Sequence, residues 1–203
     1  MLHSAAMDRV MTPPSPGFAS IPNMLTYLRI LAVPAMVLCL FLIAGETGRW
    51  WALGVYVAAC FTDWLDGYLA RVWAQQSMLG RMLDPIADKL LVGTALLMLT
   101  YDQTIFGVHV AAAVIILCRE ILVSGLREFL AELNVRVHVT QLAKWKTTLQ
   151  MIALGILLAG PGADKMIPGV SVAGYAMLWL AALLTLWTGY DYLKAAIDTA
   201  IEH

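Results

Sequence analysis

The sequence predicts an all-α integral membrane protein of six transmembrane helices, and three observations carry that prediction. Of 203 residues, 61% are hydrophobic and 13% charged, with a mean hydropathy of +0.76; a soluble domain carries about 25% charged residues. Apolar segments recur at 24–45, 50–73, 83–101, 105–129, 143–160 and 170–194. As helices these are long enough to cross a hydrocarbon core about 30 Å thick. The basic residues are also unevenly shared among the connections.

Taken in order, residues 1–20 hold Asp8 and the stretch "TPPSPG" but no apolar run. They read as a flexible lead-in rather than a cleaved signal peptide, leaving 21–203 as the membrane domain. Helix 1 follows Pro22 and carries Arg29. Breaks come at "AGETGR" (44–49), "AQQSMLGR" (74–81), "YDQTIFG" (101–107), "AELNVRVHVTQ" (131–141) and "GPGADKMIPG" (160–169). Arg9, Arg71, Arg81, Arg127, Arg136, Lys144, Lys146 and Lys194 lie at or near the N-terminus, the even connections and the C-terminus. The odd connections hold only Arg49 and Lys165. Excess Lys and Arg stay on the cytoplasmic side, so both termini and the even connections are expected there, in the inner membrane of a cell. Trp50, Trp51, Trp73 and Trp145 near span ends suit an aromatic belt.

Several function classes are excluded. No basic stripe of the kind nucleic acid requires is present. Cys39, Cys60 and Cys118 match neither a disulfide framework nor a zinc site. His109 and His138 lie outside the acidic cluster described next, and Asp191 and Lys194 mark the end of helix 6.

The chemistry is concentrated in "FTDWLDGYLAR" (61–71) and "GRMLDPIADKLL" (80–91). An ionised carboxylate in a spanning helix costs several kcal/mol unless it is paired, solvated or metal-bound. At about 100° per residue, Asp63, Asp66, Gly67 and Ala70 share one helix face about 100° wide. Asp84 and Asp88 stand one turn apart on helix 3. A connection over roughly 72–81 would fold helix 3 back onto helix 2, bringing four carboxylates together at the cytoplasmic ends of both. Such a cluster calls for hard divalent cations, and its donors suit two Mg²⁺ or Mn²⁺ ions in phosphoryl chemistry. Gly67 and Ala70 leave room for a bulky ligand or another helix. A cation-coupled transporter also uses intramembrane carboxylates, but it commonly shows internal repeats or helices broken at mid-membrane, and neither is evident here.

The pattern Asp63-x-x-Asp66-Gly67-x-x-Ala70-Arg71, eight residues, Gly80-x-x-x-Asp84-x-x-x-Asp88 resembles the full signature of the CDP-alcohol phosphotransferases. "PNMLTYLRI" (22–30), "CREILVSGLREFLAE" (118–132) and "KWKTTLQM" (144–151) resemble the branch that uses glycerol 3-phosphate as acceptor. That resemblance implies displacement of CMP from CDP-diacylglycerol by a hydroxyl of sn-glycerol 3-phosphate, with an inositol phosphate as the alternative acceptor. It implies Asp63, Asp66 and Asp84 on one metal ion, Asp63, Asp84 and Asp88 on a second, and Asp88 as proton acceptor. It places CDP-diacylglycerol on Thr26, Arg29, Gly67, Ala70, Arg71, Ser77 and Gly80, and implies a homodimer in the lipid membrane.

Two of these assignments have independent physical support. A guanidinium such as Arg71 grips phosphate oxygens in two-pronged fashion. Arg29 either reaches the interface or pairs with the acidic cluster or the pyrophosphate. The acceptor phosphate requires its own cations, for which Arg119 and Arg127 are expected, about 80° apart on helix 4. Lys144 and Lys146 are weaker candidates: they lie about 200° apart on helix 5, so only one can face inward.

Overall fold

The computed structural model describes residues 21–73, 78–133, 135 and 141–202, and within them the chain is helical with short connections. The helices are α1 (Ile21–Leu42), α2 (Gly45–Trp73), α3 (Met78–Tyr101), α4 (His109–Glu132), α5 (Gln141–Ala159), α6 (Pro161–Met166) and α7 (Val170–Glu202). The six long helices correspond to the six apolar segments. Their ends differ from the expected ones where the polar breaks are themselves helical. α2 starts inside "AGETGR", at Gly45, whose φ of 74° is costly for any residue with a Cβ. The break "GPGADKMIPG" contains α6, which begins after Gly160 with Pro161 in its first turn. The second connection is shorter than expected, since α2 runs to Trp73 and α3 starts at Met78. The lead-in 1–20 lies outside the described residues.

Among the described residues, three helices combine length and apolarity enough to cross a membrane on composition alone: Asn23–Leu42, His109–Ala131 and Val170–Thr199, with mean hydropathies of 2.1, 1.8 and 1.8. α2 and α3 are less apolar because they carry the carboxylates, and α5 contributes a shorter apolar stretch, Trp145–Ala159.

The packing differs from the expected hairpin of helices 2 and 3. α1 packs against both α2 and α3, which touch each other over only a few residues. α5 joins α2 to α7, and α7 in turn holds α4. Leu91, Leu96, Leu99, Ile116, Leu154, Leu157 and Leu178 fill the centre. α5 and α7 approach closely at Gly174, where an added Cβ would lie 2.9 Å from Ile156 Cγ2. Large apolar side chains such as Leu31, Leu97 and Trp187 face outward, as lipid-facing residues do. Pro34 and Pro85 are accommodated within α1 and α3.

At one end of the bundle, Arg49 ties three connections together. Its Nε donates to Leu158 O at 3.1 Å, its Nη2 to Leu157 O and Thr104 Oγ1 at 2.8 Å each, and its Nη1 pairs with Asp102. Two of these acceptors are carbonyls in the last turn of α5, which have no partner within the helix. Nearby, Lys165 pairs with Glu46. Asp164 accepts from the Ser171 side chain and from its N–H, the latter at 3.0 Å, at the start of α7, which holds its carboxyl below the usual carboxylate range. Arg49→Met is expected to leave the carbonyls unpaired at a cost of about 1–3 kcal/mol, lowering Tm in detergent by roughly 5 °C. An unchanged Tm would show that water replaces the guanidinium.

Candidate active site

Three of the four carboxylates are organised from α1. Thr26 and Arg29 stand three residues apart on one face of that helix, and both are buried. Thr26 Oγ1 donates to Asp84 Oδ1 at 2.5 Å. Arg29 Nη1 lies 2.7 Å from Asp63 Oδ1, and Nη2 pairs with Asp66 Oδ2. α1 therefore bridges α2 and α3, and Arg29 is the counter-ion of the acidic pair rather than a residue reaching outward. Full burial of the guanidinium is tolerable only with such partners. Asp66 is 6% exposed, whereas the Asp63 side chain is 44% exposed.

Asp63, Asp84 and Asp88 open onto a cavity of about 560 Å³. The same cavity is lined by Arg119, Glu120 and Arg127 of α4, Lys146 of α5 and Tyr192 of α7. Carboxylates and cations thus share one space, which suits a reaction between two phosphate-bearing molecules. The structure brings together the expected residues Asp63, Asp84, Asp88, Arg119, Arg127 and Lys146. Lys146 faces inward: it is 3% exposed and its Nζ pairs with Glu120 Oε1. Arg119, 8% exposed, donates from Nη1 to the same oxygen at 3.4 Å.

The remaining expected residues divide into two groups. Gly67 lies on α2 beside Asp66, where an added Cβ would meet nothing within 4 Å among the described residues. Its lack of a side chain is therefore not dictated by those protein neighbours. Gly80 is buried near the start of α3. Ala70, Arg71 and Lys144 lie in helices, but their side chains are outside the described set, as is Ser77 altogether. His109 lies at the far end of α4, stacked on Tyr175 at 4.3 Å and accepting from Trp179 Nε1 at 3.1 Å. The cysteines are free.

Among the described residues, no group of three or more carboxylate, histidine or cysteine side chains is drawn together as a ligand cluster. The donor chemistry nevertheless fits a hard divalent ion. Asp63, Asp84 and Asp88 offer carboxylate oxygens to one cavity, and such oxygens are preferred by Mg²⁺ and Mn²⁺.

Glu120 also lines the cavity and joins α4 to α5, pairing with Lys146 while Arg119 Nη1 lies 3.4 Å from the same oxygen. A second residue, Tyr192, has no place in the sequence reading. Tyr192 lines the cavity from α7, where Arg127 Nη2 donates to its hydroxyl at 3.4 Å and the guanidinium lies 5.4 Å from its ring centroid. The polar spacing of "TLWTGYDY" (185–192) was the available signal, because Thr185, Thr188, Gly189 and Tyr192 share one face of an otherwise apolar helix.

A family model described as CDP-alcohol phosphatidyltransferase matches residues 19–187. A protein of Rickettsia bellii (strain RML369-C) named CDP-diacylglycerol–glycerol-3-phosphate 3-phosphatidyltransferase is 46% identical over 176 residues, spanning 87% of this chain and 94% of its own. Proteins of the same name from Escherichia coli (strain K12) and Cereibacter sphaeroides are 42% and 38% identical, spanning 87% and 88% of this chain and 94% and 96% of their own. With the match covering most of its length, the chain belongs to the CDP-alcohol phosphatidyltransferase family.

Proposed function

We propose that the protein transfers the phosphatidyl group of CDP-diacylglycerol to sn-glycerol 3-phosphate, giving phosphatidylglycerophosphate and CMP. The observation that carries this reading is the cavity that Asp63, Asp84 and Asp88 share with Arg119, Arg127 and Lys146. The names of the similar proteins agree with it.

In this mechanism the acceptor phosphate rests on Arg119, Arg127 and Lys146, with Lys144 as a further candidate. A guanidinium pair suits a phosphate dianion better than an acceptor without a phosphate, such as serine. Holding the acceptor there directs its hydroxyl toward the carboxylates on α3. Asp88 takes the hydroxyl proton as the oxygen attacks the phosphatidyl phosphorus. The bond from that phosphorus to the bridging oxygen breaks, and CMP leaves with the electron pair. Nothing in the signature recommends a nucleophilic side chain, so the transfer is direct. Asp63, Asp66, Asp84 and Asp88 would hold the Mg²⁺ or Mn²⁺ ions, which neutralise the pyrophosphate and stabilise the departing phosphate. Arg29 keeps Asp63 and Asp66 in register for that task.

CDP-diacylglycerol would lie along Thr26, Gly67, Ala70, Arg71, Ser77 and Gly80, with its acyl chains in the bilayer. Gly67 supports this, because the described protein leaves space beside it. The proposed setting is the inner membrane, with six spans, both termini cytoplasmic and two copies associated. The meeting of Glu46, Arg49, Asp102 and Lys165 at the end away from the carboxylates supports that topology, since these residues belong to the odd connections.

The test is product formation by purified protein in detergent with CDP-diacylglycerol and Mg²⁺ or Mn²⁺. Glycerol 3-phosphate should give CMP and phosphatidylglycerophosphate, while serine and inositol phosphate should give no more than background. Preferential use of inositol phosphate would overturn the acceptor assignment and leave the carboxylate chemistry standing.

A further inference from the structure

α7 grips both arginines of the acceptor wall. Arg119 Nε donates to the Thr185 carbonyl at 3.1 Å, and Nη2 donates to Thr188 Oγ1 at 3.0 Å. The Thr188 hydroxyl lies 3.0 Å from Leu184 O, so it can donate its own proton there and keep its lone pairs for the guanidinium. Next to Thr188, Gly189 admits the stem of Arg119: an added Cβ would lie 3.3 Å from Arg119 Cγ. Tyr192 then takes Arg127 through both its hydroxyl and its ring. Of the five N–H groups of Arg119, two are fixed by α7 and a third points to Glu120. Thr188, Gly189 and Tyr192 also lie beyond the segment matched by the family, which ends at residue 187.

We propose that the α7 face formed by Thr185, Thr188, Gly189 and Tyr192 positions Arg119 and Arg127, and thereby sets the affinity for the phosphate of the acceptor. Thr188 and Tyr192 are positioning residues acting through the arginines. This inference rests on the proposed acceptor site. A guanidinium tethered on its Nε edge keeps its remaining donors directed at the cavity. Loosened, it samples several rotamers, and the acceptor phosphate must then restore the order on binding.

The test is Thr188→Val, which keeps side-chain shape and removes the hydroxyl, with Thr188→Ser as the rescue. Initial rates are measured with each substrate varied. The expected result is a rise in KM for glycerol 3-phosphate of about tenfold, as for a lost hydrogen bond to a charged group. The KM for CDP-diacylglycerol and kcat should change little, and Thr188→Ser should return KM toward wild type. An unchanged KM for glycerol 3-phosphate, or equal losses for both substrates, would overturn the proposal.

Should Thr188→Val not fold, Tyr192→Phe keeps the ring under Arg127 and removes only the hydroxyl. A selective rise of about threefold in the same KM is then expected, the bond being longer, and no change would overturn the proposal. Thermal stabilisation by inorganic phosphate provides a readout independent of turnover. It should be present in wild type and weakened in either variant. Phosphate stabilisation weakened in this way, in wild-type protein inactive with glycerol 3-phosphate, would sink the proposed function and retain the positioning role; equal stabilisation of wild type and variants would sink the positioning role.

Discussion

Asp88→Asn is expected to lower the rate of CMP release about a thousandfold while leaving the protein folded. Asp88 lies on α3 one turn from Asp84 and opens onto the cavity shared with the acceptor cations. Its carboxylate makes no hydrogen bond or ion pair among the described residues, so little structural stability depends on its charge. Asparagine keeps the shape and removes both the negative charge and the ability to take a proton. Loss of a positioned general base costs 10²–10⁴-fold, and weakened metal affinity adds to it. The measurement is kcat at saturating substrates and raised Mg²⁺, with Tm recorded on the same protein. Activity within threefold of wild type would remove Asp88 from the mechanism. A collapse of Tm would show that its role is structural.

Arg29→Gln is expected to damage the fold itself. Arg29 is fully buried and holds Asp63 and Asp66 with its two terminal nitrogens. Removing one partner of a buried ion pair costs about 3–5 kcal/mol, because the other is left charged and poorly solvated. Asp66 is that other partner, being nearly as buried as Arg29. A fall in Tm on the order of 10 °C follows, together with loss of activity because α1 no longer fixes the carboxylates. The double variant Arg29→Met, Asp66→Leu should recover much of the Tm and none of the activity, since an apolar pair can replace a buried ion pair without a stability cost. A melting temperature for Arg29→Gln within a degree of wild type would show that the pair is held together by other contacts.

Much of this architecture could be read in the sequence, because its strongest determinants are local. A run of apolar residues of membrane length specifies a helix, and four aspartates on two such runs are too costly to be incidental. The inward lysine was narrowed to one of two by the 3.6-residue period, and burial chose Lys146. Helix neighbours were less legible. Folding α3 back onto α2 was the shortest route for the chain, yet α1 lies between them, and only the three-dimensional pairing of Arg29 and Thr26 shows why. The position of Glu120 between Arg119 and Lys146 depends on how α5 meets α4. The contribution of α7 was hidden by its composition: hydroxyls, a glycine and a tyrosine in an apolar helix read as ordinary packing until the arginines they hold are located.

The central claim is that the cavity lets the two substrates react directly with each other. The most direct test is exchange of labelled CMP into CDP-diacylglycerol by the purified enzyme with divalent metal and no acceptor. Direct displacement predicts no exchange until glycerol 3-phosphate is added, followed by CMP and phosphatidylglycerophosphate in equal amounts. Rapid exchange without acceptor would show a phosphatidyl group resting on the protein, and would contradict the account.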